Sequence, residues 1–228
     1  MATTNTHAFN LDLNLLVEEA FERCGAELRT GYDLRTATRS LNLLTIEWAN
    51  RGINLWTVEQ DSIPLVAGTA TYDLPATTID LISQVIRTGT GTTQSDIAIS
   101  RVSNPTYASI PSKNDTGRPI QIYIDRRGPE VPTVTMWPIP DTTQPYTFVY
   151  WYLKRMSDAG SGVNTQDIPF RFLPCMVAGL AYYLSLKIPK AGDRIQFLKS
   201  EYEEQWLLAS TEDREKATLS ITPRSSYV

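Results

Sequence analysis

The 228 residues, 42% hydrophobic and 20% charged, suffice for one sizeable core or two small ones and exclude wholesale disorder. A formal net charge of -4 argues against a protein built to grip nucleic-acid phosphates, which needs a concentrated basic face. The two cysteines, Cys24 and Cys175, each sit in an apolar helical pattern and read as buried free thiols of a reducing compartment.

Residues 1–10 hold neither Lys nor Arg and no apolar segment, so no secretory signal is expected. A first helix is predicted over 11–24, with Leu13, Leu16, Ala20 and Cys24 in a stripe, Asp12 or Asn14 as its cap and Gly25 as its stop. A second follows over 34–50, capped by Asp33, with Leu34, Ala37, Leu41, Leu44 and Trp48 along one face. The short link predicts antiparallel pairing of the two. Gly52 ends the second helix, and Ile53, Leu55 and Trp56 restart as an extended segment.

From 57 to about 155 the texture becomes β, rich in Thr, Val, Ile and Tyr with Pro and Gly punctuation. Ile120, Ile122 and Ile124 alternate with Gln121, Tyr123 and Asp125, and Val134 and Met136 with Thr133, Thr135 and Trp137. Residues 146–153 are apolar or aromatic on both faces, which predicts a central covered strand or one that offers a face to a partner.

Helical spacing returns with Pro169 near a first turn and Phe172, Met176, Leu180 and Leu184 on one side. The apolar run 172–186, bracketed by Arg171 and Lys187, falls short of the roughly 20 residues a bilayer requires and reads as a buried soluble helix. It should lie between the other helices and the β region. The last helix starts near Asp193 and carries Ile195, Leu198, Tyr202, Trp206 and Ala209, but its stripe dissolves beyond Ser210 into 211–216, a run of charge followed by SITPRSSYV. The expected class is α+β: a helical bundle from both chain ends (1–56 and 157–210), an inserted antiparallel β domain (57–156), and an extended C-terminal tail (211–228).

Catalytic chemistry finds little footing. His7 is the one histidine, so neither a Ser/His/Asp triad nor a histidine metal cluster can be assembled, and no phosphate-cradling glycine pattern occurs. No metal or cofactor is expected. Two alternatives stay open. Carboxylates on shared helices, Glu18, Glu19 and Glu22 or Glu201, Glu203 and Glu204, leave a cell-wall hydrolase formally available. Trp137, Tyr146, Tyr150, Trp151 and Tyr152 leave a glycan-binding β module. Arg118, Arg126 and Arg127, with Glu130 nearby, form a small basic group near turns that a solvated loop explains.

The segments SLNLLTIEWANRGINLWTVEQDSIPLVAGTATYDLP, ISRVSNPTYASIPSKNDTGRPIQIYIDRR, TMWPIPD and YTFVYWYLKRMSD, in that order, resemble the head-to-tail adaptor (tubular tail protein A-like, head completion) family of short-tailed bacteriophages. The resemblance covers 11–209. It implies a non-enzymatic virion component of the phage neck, assembled in the host cytoplasm, with no membrane partner. It further implies a ring of about twelve copies beneath the portal protein. The ring would touch the tail nozzle and fibre proteins and pass double-stranded DNA without sequence-specific binding, a passage that suits the acidic balance. In the resembled family the C-terminal segment docks on the portal. This marks Thr211, Arg214, Ile221, Thr222, Pro223, Arg224, Tyr227 and Val228 as portal-binding positions, expected to be flexible in the free subunit and ordered on the portal.

Overall fold

Asp12 opens the first helix: its side-chain oxygen accepts a hydrogen bond from the Leu15 amide at 2.9 Å, satisfying one of the orphan donors of the first turn. The structure, a computed structural model, describes residues 11–29, 31–52, 55–127, 131–160, 164 and 166–213. The helices are α1 (Leu13–Cys24), α2 (Gly31–Arg51), the short α3 (Asn104–Ala108), α4 (Leu173–Ser185) and α5 (Ile195–Glu212). The chain falls into two compact units, one drawn from Met1–Trp56 with Met156–Val228 and one from Thr57–Arg155.

In the first unit, Gly25 and Gly52 take left-handed φ values of 72° and 76° directly after α1 and α2, a conformation that costs glycine little. α2 begins earlier than its stripe suggests. Asp33 therefore lies within the first turn instead of capping it, where its carboxylate faces the positive end of the helix dipole and accepts from the Arg29 amide at 3.3 Å. The segment after Gly52 also departs from expectation: Leu55–Thr57 is a 3-10 turn, and the Trp56 ring packs on Phe172 at 4.5 Å between centroids.

α4 is apolar nearly all round and packs against α1, α2 and α5, so it is the helix the bundle is built on. Gly179 permits that crowding, since a Cβ there would lie 2.9 Å from Leu44 on α2 and from the Tyr202 ring on α5. α1 rests chiefly on α4 and only lightly on α2, contrary to the predicted pairing. Its buried stripe of Leu16, Val17, Ala20 and Cys24 joins the α4 core, and the Cys24 thiol donates to the Ala181 carbonyl at 3.1 Å.

The second unit holds β1 (Val58–Pro64), β2 (Thr71–Asp73), β3 (Thr78–Thr88), β4 (Ser95–Ala98), β5 (Ser100–Val102), β6 (Thr116–Gly117), β7 (Gln121–Asp125), β8 (Thr133–Trp137), β9 (Ile139–Pro140) and β10 (Tyr146–Lys154). One sheet runs β1-β10-β3-β4, a second β2-β8-β7-β5, and β6 pairs with β9. Pairing is antiparallel except for β5 with β7 and β6 with β9. Tyr146, Phe148, Tyr150 and Tyr152 on one face of β10 share a core with Ile122, Ile124, Val134 and Met136 of the other sheet, as in a β-sandwich. β10 is central, bonded on both edges; on its second face Val149 is buried and Thr147, Trp151 and Leu153 are half-buried. Ile120 precedes β7 and is exposed, so the alternation starts two residues later than the sequence pattern implied. Among the described residues no helix is long and apolar enough to cross a membrane.

Candidate assembly surfaces

Reactive side chains are tied into structure. Among the described residues no group of three His, Cys, Asp or Glu side chains could hold a metal ion. His7 lies outside the described residues. Burial pushes the Cys24 thiol up to about 11 and the Cys175 thiol up to about 12, which keeps both protonated and unreactive near neutrality. Glu201 accepts from Arg23 at 2.7 Å, and Glu203 accepts a two-pronged contact from Arg51 at 3.1 and 3.0 Å that holds its carboxyl below the ordinary range. Glu18 and Glu22 are exposed.

The aromatic groups of the β unit are equally committed. The hydroxyls of Tyr146, Tyr150 and Tyr152 donate to Asp141, Asp61 and Glu59 at 3.1, 3.1 and 3.0 Å, while their rings are buried. The Trp137 indole donates to the Ser112 carbonyl at 2.9 Å. These rings are core and edge packing, with no row of exposed faces on which a sugar could stack. Arg126 pairs with Asp80 at 2.9 Å and Arg127 with Asp125, so both belong to local ion pairs; Glu130 lies outside the described residues.

A polar network fixes α2, α4 and α5 to one another. The Trp48 indole donates to the Tyr202 hydroxyl at 3.0 Å, Tyr202 donates to Glu47 at 3.3 Å, and Tyr183 donates to the other Glu47 oxygen at 2.6 Å. Arg51 binds Glu47 and Glu203 and lies over the Trp206 ring at 4.8 Å. Such a network orders its helices because each buried polar group finds its partner only in this arrangement.

Among the described residues, two surfaces of the helical unit are left uncovered. One is lined by Leu11, by Leu15, Glu18, Glu19, Glu22 and Arg23 of α1, and by Leu173, Pro174 and Val177. The other is the outer face of α2, with one hollow on each flank: Tyr32, Leu34, Arg35, Thr38 and Arg39 line the first beside Leu13, and Tyr32, Asp33, Arg39, Leu43 and Lys187 line the second beside Phe21. Tyr32, Leu43 and Ile46 are 64%, 54% and 57% exposed, and their spacing sets them on one helix face with Arg39. Sequence reasoning missed this second apolar stripe of α2, although the recurrence at 32, 39, 43 and 46 was there to be found.

The end of α5 is the remaining feature. Thr211 is exposed in its last turn and its hydroxyl donates to the Leu207 carbonyl at 2.7 Å. Asp213 follows, with its side chain wholly buried and ion-paired to Arg171. The start of the predicted tail is thus helical and anchored, and the other candidate positions, Arg214, Ile221, Thr222, Pro223, Arg224, Tyr227 and Val228, lie outside the described residues. Nothing in the run 211–216 distinguishes Asp213 from its charged neighbours. Its burial follows from the position of Arg171, which only the fold provides.

The helices and sheets define an α+β class, and the polar groups named above serve its own packing. The family model for SU10 adaptor protein matches residues 15–224, across both units, and the chain belongs to that family. It is therefore a bacteriophage adaptor, a virion component that associates with other virion proteins. The match takes in Arg214 and 221–224 but stops short of Tyr227 and Val228. No curated protein matches the chain.

Proposed function

We propose that this adaptor is the head-to-tail connector of a short-tailed phage. About twelve copies form a ring beneath the portal protein, extend the DNA channel and join it to the tail nozzle and fibres. In this reading 1–56 and 157–210 form the ring-building bundle, 57–156 an inserted contact domain, and 211–228 the portal-docking tail. One observation carries the tail assignment: Arg171 buries Asp213 at the end of a helix locked to the bundle, so the segment bearing Ile221, Pro223, Tyr227 and Val228 departs from a fixed point. Apolar groups placed on such a segment gain most by burial on another protein. A ring multiplies each weak tail contact through effective concentration. The acidic net charge supports passage of DNA without adhesion.

Electron microscopy and co-sedimentation of the full-length chain mixed with the phage's portal protein test this. The expected result is a ring of chains under the portal. Release of peptidoglycan or capture of sugar by the purified chain, with no attachment to portal, would reverse the assignment in favour of a hydrolase or a glycan-binding module.

A further inference from the structure

The two surfaces carry opposite net charge: Glu18, Glu19 and Glu22 against Arg23 on the first, and Arg35, Arg39 and Lys187 against Asp33 on the second. Along α1, Leu15 is 50% exposed beside Glu18 and on the same face as Glu22, neither of which has a salt bridge among the described residues, while Glu19 is paired with Arg23 at 2.9 Å. Along α2, Arg35 has no salt bridge among the described residues, Arg39 donates to the Thr36 hydroxyl at 3.3 Å, and Lys187 donates to the Ser40 hydroxyl at 2.7 Å. Asp33 is the one carboxylate among the described residues lining the two hollows beside α2. Burial and the nearby Arg39 together push the Lys187 ammonium down, a crowding of like charge that an incoming carboxylate relieves.

A single exposed leucine calls for no partner, but apolar groups framed by uncompensated charge on two facing-compatible surfaces do. Within one copy the two cannot meet, because Leu15, Glu18 and Glu22 occupy the side of α1 turned away from Leu13, where the α2 groove begins. Contact between two different faces of identical chains is heterologous, and a heterologous contact repeats into a ring when its rotation closes. We infer that Glu18, Glu22 and Leu15 of one copy seat against the exposed α2 face of Tyr32, Arg35, Arg39 and Leu43 on the next, forming the subunit contact of the ring. This rests on the ring reading above. Charge complementarity selects the register and a second copy as occupant, since each groove is the other's counterpart.

Mass photometry of the full-length chain, alone and with portal protein, tests the contact using Glu18→Arg with Glu22→Arg, Arg35→Glu with Arg39→Glu, and all four changes combined. All four positions are exposed, and thermal melting verifies that the variants fold. Each charge-reversed pair should lose the ring, the combined variant should regain it, and high salt should weaken the wild-type ring. In Leu15→Cys with Leu43→Cys, oxidation should link neighbouring copies, because Cys24 and Cys175 are buried and stay out of the reaction. A ring indifferent to both charge-reversed pairs overturns this contact and leaves the ring reading standing. A ring that persists but no longer holds portal assigns the grooves to the portal and overturns it too. A chain that stays monomeric alone and on portal overturns both readings.

Discussion

Arg171, just before α4, and Asp213, just after α5, are 42 positions apart in sequence and meet as an ion pair whose carboxylate is shielded from water. An aspartate at a helix C-terminus opposes the helix dipole, so its place there depends on the guanidinium. Removing that guanidinium strands a buried charge. Arg171→Ala should cost about 1–3 kcal/mol, toward the lower end because Arg171 keeps about a third of its side chain in water. Hydrogen exchange should show faster exchange confined to the last turn of α5, and an unchanged pattern would remove the anchor from the account.

The Trp48 to Tyr202 hydrogen bond predicts an effect independent of volume. Tyr202→Phe deletes one oxygen from the buried core, leaves the indole N–H without its acceptor and takes a donor from Glu47. A loss of about 1–3 kcal/mol is expected in urea unfolding, with the slope of the transition unchanged.

Gly179 supplies a steric test. Its added Cβ would meet Leu44 and Tyr202 at 2.9 Å, so Gly179→Ala should destabilise by about 1–3 kcal/mol although alanine is the better helix former. A gain in melting temperature would mean that the three helices are not pressed together at this point.

Alkaline pH should unfold the protein before the ordinary limit. The folded state holds the Cys24 thiol up to about 11 and Cys175, Tyr152 and Tyr183 up to about 12, chiefly through burial. Unfolded, these groups release protons at about 8.5 for cysteine and about 10 for tyrosine. Above about pH 9 the unfolded chain therefore binds fewer protons than the folded one, and stability falls as pH rises; below about pH 8 the contribution is complete. Urea midpoints at a series of pH values check the slope, and Cys24→Ala with Cys175→Ala should flatten its first part.

Much of this was legible in the chain. Leu41, Leu44 and Trp48 recur at helical spacing and are fully buried, and the alternation of Ile122 and Ile124 with Val134 and Met136 marks the β core. What the chain concealed were choices among equals. All four bundle helices carry apolar residues; only the Cys24 to Ala181 contact shows α1 resting on α4, and only the close approach at Gly179 shows α2 and α5 crowding onto it. The parallel pairing of β5 with β7 arises from the crossover through α3, which leaves no periodic mark. Asp213 reads as one more solvated acid until Arg171 is placed beside it.

The central claim, that the chain joins the phage neck through its tail, is tested most directly by retention on immobilised portal protein. The comparison is the full-length chain against one lacking Ser220 to Val228. The truncated chain should keep the stability of the intact one to within about 0.5 kcal/mol and no longer be retained. Equal retention of the two chains would contradict it.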